Sequence, residues 1–259
     1  MNKFIQRFGL AALLMFPLSF QTTAQVKPKP KAPVKKTVTA TPQSAAPITV
    51  TEPWKQINSK ERLVEISTNY GVMIAKLYDS TPLHRDNFIK LVQQKFYDSL
   101  LFHRVISQFM IQGGDPASKD AADGVPLGGG SAPGDRIPAE FKSALIHKKG
   151  VLAAARENNP ERASSNCQFY IVHGKVMQEA ELENVYNQRV KPSNPAFSYT
   201  KTQKEIYKRV GGTPFLDQNY SVFGEVISGL DVIDKIAGVA KDGADRPTQN
   251  VRMKIRLLN

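Results

Sequence analysis

The stretch FHRVISQFMIQGGDP, residues 102–116, places a single arginine beside a large amount of apolar surface. The side chains that accompany Arg104 in what reads as two short strands are Phe102, Phe109, Met110 and Gln112. A guanidinium keeps its proton at every relevant pH, so Arg104 is a permanent hydrogen-bond donor. The pattern indicates chemistry that needs a fixed donor next to apolar side chains.

Other catalytic machineries do not match the spacing of the chain. The glycine-rich stretch LGGGSAPGD has neither the Gly-x-Ser-x-Gly of a nucleophile elbow nor the Lys-Ser/Thr ending of a phosphate loop. The four histidines and Cys167 lack the spacing of metal ligands, and no histidine is placed to activate the thiol. We therefore expect no metal, no nucleotide and no covalent nucleophile, and we interpret Cys167 as a small core residue.

Three ordered segments carry a family resemblance. FHRVISQFMIQGGD is followed by GVLAAARENNPERASSNCQFYIV and then by FLDQNYSVFGEV. In order and composition they resemble the cyclophilin-type peptidyl-prolyl cis-trans isomerases, in a secreted bacterial form, from about residue 62 to the end. The resemblance implies a mainly β fold, a closed eight-stranded antiparallel barrel capped by two helices, with the site on its outer face and no cofactor.

The resemblance also implies roles for individual residues. Arg104, Gln112 and Phe109 match the catalytic positions of the family. The matches to its substrate-binding positions are Phe102, Met110, Ala155, Arg156, Tyr170, Phe215, Leu216 and Tyr220. Four of these differ from the Phe, Trp, His and Asn of the best-known members, namely Tyr170, Phe215, Tyr220 and Arg156. The implied partners are proline-containing segments of unfolded or exported proteins.

The chemistry of an X-Pro bond explains why such residues belong together. Rotation removes the double-bond character of the amide against a barrier of about 18–20 kcal/mol and localises a lone pair on the prolyl nitrogen. A donor aimed at that nitrogen stabilises the twisted amide more than the planar one. Arg104 can be that donor, Gln112 can hold Arg104 or a substrate carbonyl, and the apolar residues can fix the proline ring.

Simpler interpretations of single residues stay open. A strand arginine is often a surface residue or an ion-pair partner, and His103 reads as a hydrogen-bonded structural histidine. Phe109 and Met110 are adjacent, so on a regular strand one of them would point into the core. The alternative function is a proline-peptide binding module with weak catalysis.

The elements that must position these residues follow from periodicity. Nine candidate strands and two helices suit a closed barrel with helical lids, although the strands suit a sandwich equally well. Asn69-Tyr70-Gly71 predicts a tight hairpin turn, and Thr81-Pro82 predicts the start of a helix that continues to Lys95. The second helix is predicted in GLDVIDKIAG. IPAEF is one of the nine predicted strands.

Residues 175–211 read as two helices inserted in a loop. Thr202-x-x-Glu205 resembles a capping box for the second helix, and Gly211 resembles its stop signal. Because the insert ends just before Phe215, we expect its C-terminal helix to lie beside the substrate wall. It would then either extend the groove and select longer or partly unfolded chains, or simply pack against the barrel as a solvated pair.

The first 53 residues differ from the rest in composition. Lys3 and Arg7 precede an apolar run and Thr22-Thr23-Ala24, which predicts a signal peptide over 1–24. A Pro/Lys/Ala/Thr-rich linker is predicted over 25–53, before the isomerase domain at 54–259. The first 53 residues carry half of the net charge of +12. A nucleic-acid binder would carry a basic stripe interleaved with aromatic residues on its folded part, and an exported protein rarely meets nucleic acid, so we expect no nucleic-acid partner. We expect a periplasmic protein with no stable membrane insertion after signal cleavage.

Overall fold

An antiparallel β-sheet carries the candidate site residues. The computed structural model describes residues 61–259, so the predicted signal peptide and linker, and the first residues of the predicted domain, lie outside the described residues. Within residues 61–259 the sheet has eight strands, which are β1 (Leu63–Thr68), β2 (Gly71–Leu77), β3 (Phe102–Ile106), β4 (Met110–Gly113), β5 (Val151–Ala154), β6 (Phe169–Val172), β7 (Val222–Ser228) and β8 (Met253–Leu257).

The sheet has two edges. The strand order is β3-β4-β6-β5-β7-β2-β1-β8, and every neighbouring pair is antiparallel. Between the edge strands, the segment before β3 meets the start of β8 through a bridge from Leu101 to Arg252. No ladder joins β3 to β8 in the described part of the chain, so the closed barrel is not confirmed and the architecture is a curled eight-stranded sheet.

The predicted hairpin is confirmed, and the strand predicted in IPAEF is not. Strands β1 and β2 pair from Leu63 with Lys76 to Thr68 with Gly71, which leaves the two-residue turn that the sequence indicated. The segment IPAEF forms a single bridge, from Ile137 to Ser164. Pro138 has no N–H to donate, which limits the segment as a partner in a ladder.

Two helices pack on the sheet. Helix α1 spans Pro82–Gln93 and begins after Thr81 as predicted, but the Thr81 side chain does not cap it. Instead the carboxylate of Glu140 accepts hydrogen bonds from the N–H groups of Leu83 and His84, at 3.1 and 3.0 Å. A carboxylate at this end is also favoured by the helix dipole. Helix α5, Leu230–Ala237, lies in the predicted second segment.

The insert is folded against the barrel. It contains α2 (Glu179–Val185), a π-helical turn (Tyr186–Val190), α3 (Lys191–Ser193) and α4 (Lys201–Arg209). The capping box of α4 is formed by Thr200 and Gln203, two residues earlier than predicted. Leu182, Val190, Phe197 and Tyr207 are buried together with Ile146, which lies outside the insert, so the insert packs against the rest of the domain.

The main apolar core lies between one face of the sheet and the two helices α1 and α5. A second, smaller cluster on the opposite face is built around Met110, Tyr170, Leu216 and Val222. None of the helices within residues 61–259 is long and apolar enough to cross a membrane.

Candidate active site

The register of three neighbouring strands brings the predicted polar residues into one row. Arg104 on β3 stands opposite Gln112 on β4, and Gln112 stands opposite Tyr170 on β6. Residues directly opposite each other in an antiparallel pair project from the same face. The sheet therefore presents Arg104, Gln112 and Tyr170 side by side, although 66 positions separate Arg104 from Tyr170 in the chain.

The guanidinium of Arg104 is exposed, and its hydrogen-bond donors are not used within the described part of the chain. It makes no hydrogen bond or ion pair with any residue in the range 61–259, so the interpretation of Arg104 as a structural ion-pair partner is wrong. An exposed arginine with unused donors can bind an acceptor on a ligand.

Phe102 does not belong to the site surface, and its assignment to substrate binding is wrong. It is 0% exposed and lies in the main core, where its ring meets Phe169 edge to face at 6.1 Å. Phe102 and Arg104 would share a face on a regular strand. A register shift between them, where β3 meets β4, turns Phe102 inward while Arg104 faces solvent.

Phe109 and Met110 both face the site despite being adjacent. Strand β4 begins at Met110, and Phe109 lies in the preceding turn, where Gln108 has a φ of +62°. Alternation between faces holds within a strand and does not apply across its first residue. Met110 is 2% exposed and belongs to the smaller apolar cluster, so the expectation that one of the two is a core residue is confirmed, although Met110 also lines the pocket.

A pocket of about 170 Å³ lies above this row. It is lined by Arg104, Phe109, Met110, Gln112, Ala155, Arg156, Tyr170, Leu216 and Tyr220. These are nine of the eleven residues assigned from the sequence. Phe215 lies at the rim, 37% exposed, with its ring 5.5 Å from that of Phe109. The pocket is smaller than the usual cavities for drug-sized ligands, so it fits a single side chain.

Gln112 is held in place by a residue that the sequence analysis did not select. The Gln112 Nε2 donates to Gln168 Oε1 at 3.1 Å, and Gln168 Nε2 donates to the carbonyls of Gly128 and Gly130, both at 2.8 Å. Gln168 is buried. The contact leaves the carbonyl oxygen of Gln112 and its second N–H for a neighbour or a ligand.

Arg156 adds a second cation on the other side of the pocket. Its guanidinium carbon lies 4.8 Å from the centre of the Tyr220 ring, a cation–π distance. The Nε of Arg156 is buried without a hydrogen-bond partner. Ala155 is fixed by its backbone, which donates to Gln168 O at 2.9 Å and accepts from Ser165 N.

A buried hydrogen-bond chain runs from the pocket into the insert. Asp217 Oδ1 accepts from His147 Nδ1 at 2.7 Å, and His147 Nε2 lies 3.0 Å from the Tyr170 hydroxyl. A carboxylate can only accept, so Nδ1 carries the proton and, in the neutral ring, Nε2 accepts from Tyr170. Burial raises the pKa of Tyr170 well above its ordinary value, which keeps the hydroxyl protonated.

The other oxygen of Asp217 holds the insert. Asp217 Oδ2 accepts from the hydroxyls of Tyr199 and Tyr207, each at 2.6 Å. Both tyrosines belong to the insert, and Asp217 follows Leu216 of the pocket directly. His147 and Asp217 cannot be recognised as a pair from the sequence, because neither spacing nor composition marks two residues that meet across 70 positions.

His103 is structural, but it is not hydrogen-bonded as expected. It is buried, and neither ring nitrogen has a partner in hydrogen-bond geometry. Burial lowers the pKa of His103 to about 4, against the opposing attraction of Asp115. His103 is therefore neutral at pH 7 and does not face the pocket.

Comparisons with known proteins agree with this geometry. The family model described as cyclophilin type peptidyl-prolyl cis-trans isomerase/CLD matches residues 63–256. A Staphylococcus epidermidis protein named as a peptidyl-prolyl cis-trans isomerase is 33% identical over 198 residues, which cover 76% of this chain and 91% of the relative. A Streptococcus pyogenes protein named as a bifunctional phosphatase/peptidyl-prolyl cis-trans isomerase is 34% identical over 191 residues, which cover 73% of this chain and 37% of that protein.

Solved structures agree on the fold. A Cryptosporidium parvum cyclophilin-type isomerase matches with a TM-score of 0.55 at 21% identity, covering 77% of this chain and 98% of the other. The same protein in the presence of the dipeptide Ala-Pro matches with a TM-score of 0.54 at 22% identity. The family match over residues 63–256 includes every residue that lines the pocket. This chain is a member of the cyclophilin-type peptidyl-prolyl cis-trans isomerases.

Proposed function

We propose that Arg104 is the catalytic donor of this isomerase. The observation that carries the proposal is its exposed guanidinium, which has no partner among the described residues and stands at the edge of an apolar pocket. When the X-Pro bond twists, the prolyl nitrogen gains a localised lone pair. A hydrogen bond from Arg104 to that nitrogen stabilises the twisted amide and leaves the planar amide unchanged, which lowers the barrier.

The remaining rate enhancement comes from the pocket. One well-placed donor contributes about 3–4 kcal/mol, a factor of roughly a few hundred. We propose that Phe109, Met110 and Leu216 hold the proline ring while the residue before it rotates. Water stabilises the planar amide, which is the more polar form. Because the apolar surface of these residues excludes water, the planar amide loses this stabilisation. Gln112, fixed by Gln168, orients Arg104 or the peptide backbone.

The catalytic role of Arg104 can be tested directly with short peptides that contain one X-Pro bond. NMR exchange spectroscopy on a blocked Ala-Pro tetrapeptide measures the rotation rate with and without the protein. We expect Arg104→Ala to lower kcat/KM about a hundredfold with an unchanged melting temperature, because Arg104 is exposed and unpaired. Arg209→Ala, at an exposed arginine on α4, is the matched control and should match the wild type.

Two results would contradict this assignment. Equal rates for wild type and Arg104→Ala would remove Arg104 from the chemistry. If neither the wild type nor Arg104→Ala accelerates rotation of the X-Pro bond, but both still bind the peptide, the result would favour a proline-peptide binding module instead.

We also propose that the isomerase assists exported proteins in the periplasm. The support is the charge and hydropathy pattern of residues 1–24, followed by a Pro/Lys-rich stretch that would serve as a tether. In this proposal the proline pocket binds unfolded chains after their translocation. Mass spectrometry of the N-terminus from fractionated cells should find cleavage near Ala24 in the periplasmic fraction. An intact N-terminus in the cytosolic fraction would contradict the proposal.

A further inference from the structure

A second, larger cavity lies between the insert and the wall of the proline pocket. Its volume is about 650 Å³, which is within the range of cavities that bind ligands. The insert contributes Gln188, Arg189 and Ser193, and the barrel contributes Arg156, Phe215 and Tyr220. Arg156 and Tyr220 line both this cavity and the proline pocket. A peptide in the pocket therefore has a direct path into the cavity.

The helix that forms this wall is not the expected one. The sequence led us to expect the C-terminal helix of the insert, α4, beside Phe215. The structure instead places the π-helical turn and α3 there, while α4 contributes Tyr207 to the buried core behind them.

The wall is preformed by polar contacts between the insert and the barrel. Asn219 Nδ2 donates to Ser193 Oγ at 3.1 Å, and Asn194 Nδ2 donates to Gln218 Oε1 at 3.1 Å. Arg162 donates to the carbonyl of Ser193 at 3.4 Å. These bonds fix the insert on the side of the cavity, so a ligand would meet a surface that is already ordered.

The charge of the cavity has one sign. Its described lining contains two arginines and no carboxylate. The side chain of Arg189 is exposed and forms no ion pair or hydrogen bond with any residue between 61 and 259, and the buried Nε of Arg156 is likewise unpartnered.

The acidic residues of the insert do not neutralise this surface. Glu179 pairs with Lys208, Glu181 with Lys175 and Glu183 with Lys204. None of these six residues lines the cavity. These carboxylates of the insert are therefore paired with lysines outside the cavity, and Arg189 remains able to bind a negatively charged group of a ligand.

We propose that this cavity is an anionic subsite that binds an Asp or Glu side chain of the polypeptide substrate, near the proline that is isomerised. This inference rests on the proposed function, because it takes the proline pocket as the anchor. Phe215 and Tyr220 supply an apolar floor for the peptide, while Arg156 and Arg189 pair with the carboxylate. Because Arg156 and Tyr220 line both the proline pocket and the cavity, the acidic residue lies close to the proline in the substrate chain.

A peptide series tests the subsite. Blocked peptides share one Ala-Pro core and carry Glu, Gln or Lys at one position, from one to four residues before or after the core. For wild type, the kcat/KM ratio of Glu to Gln peptides should reach about fivefold at one or two positions, and it should fall in 0.5 M salt. Arg189→Glu should abolish or invert this ratio. Arg209→Glu, an equal charge change on the same insert, should keep it.

The results separate this inference from the proposed function. Equal kcat/KM for Glu and Gln peptides at every position, or an unchanged ratio in Arg189→Glu with native circular dichroism, would overturn the subsite. If the wild type accelerates X-Pro rotation in none of the peptides, the proposed function fails. Fluorescence anisotropy then measures the binding of labelled peptides and tests the subsite by itself. Tighter binding of the Glu peptide that Arg189→Glu removes would support it, and equal binding of Glu and Gln peptides would overturn it.

Discussion

The Tyr207 hydroxyl, on the last helix of the insert, donates a 2.6 Å hydrogen bond to the buried carboxylate of Asp217. Asp217 is the residue after Leu216, which forms a wall of the proline pocket. Through His147 the same carboxylate is connected to the Tyr170 hydroxyl. The family resemblance had marked Tyr170 as a departure from phenylalanine, and the structure shows a use for the additional hydroxyl. The insert and the pocket therefore share one buried polar network.

The first prediction concerns this network. Tyr207→Phe removes one donor from a fully buried carboxylate, which should lower the free energy of unfolding by about 1–3 kcal/mol and raise KM for a proline peptide. Tyr186→Phe is the control, because its hydroxyl also belongs to the insert but donates to the carbonyl of Phe197. Urea unfolding and NMR exchange measure the two effects. Equal changes in KM for both variants would separate the insert from the pocket.

The same network limits what a deletion can show. Replacing residues 175–211 by a short linker would remove Tyr199 and Tyr207, and with them both donors to Asp217 Oδ2. A buried carboxylate without its donors is strongly destabilising. We therefore expect the deletion variant to melt well below the wild type, and single substitutions in the insert are the sharper probes. A deletion variant with the melting temperature of wild type would contradict this expectation.

The second prediction concerns Gln168, which positions Gln112. Gln168→Leu keeps the size of the side chain but removes three hydrogen bonds, to Gln112 and to the carbonyls of Gly128 and Gly130. We expect kcat/KM for a short X-Pro peptide to fall about tenfold, because Gln112 is no longer oriented. Gln203→Leu, at a buried glutamine of the insert that donates to the carbonyl of Ser143, should lower stability without this loss of rate. Comparable rate losses in both variants would make the effect nonspecific.

The third prediction is a pH dependence of stability. Burial lowers the pKa of His103 to about 4 in the folded protein, while an exposed histidine titrates near about 6.5. As the pH falls below about 6.5, His103 binds a proton in the unfolded chain but stays neutral in the folded protein. The stability contribution is therefore full above pH 6.5 and decreases by up to about 3 kcal/mol as the pH approaches 4.

A variant isolates the share of His103. His103→Phe has no titrating ring, and the native ring has no hydrogen bond to lose. Urea unfolding of both proteins at several pH values between 7.5 and 4.5 should show a shallower loss for the variant. His84 and His173, whose pKa values burial also lowers, contribute equally to both curves. Parallel curves would contradict the prediction.

The fourth prediction concerns the thiol. Cys167 is buried, and burial raises its pKa, so little thiolate forms at neutral pH. We expect Ellman's reagent to react with Cys167 at pH 7.5 only after unfolding in urea, with one equivalent released. Rapid reaction of the folded protein would show that Cys167 is accessible and would contradict its interpretation as a core residue.

Local sequence determined most of the elements and most of the pocket. Nearest-neighbour signals such as the Asn69-Tyr70-Gly71 turn and Pro82 at the start of α1 act within a few residues, so they can be read directly. Motif order then identified Arg104 and the apolar residues of the pocket, because these lie in short continuous segments. The capping box failed by two residues because Thr200 and Thr202 are both suitable caps.

Tertiary structure decided what depends on distant partners. Glu140 caps α1 from 56 positions away, and Asp217 meets His147 across 70. The register shift beside Phe102 turned a predicted contact residue into core, since a single bulge changes which face a strand residue occupies. Arg189 illustrates the same limit: its charge is visible in the sequence, but its place beside the pocket depends on how the insert packs. Composition and spacing encode short-range preferences, whereas the partners of buried polar groups are decided only when distant segments pack together.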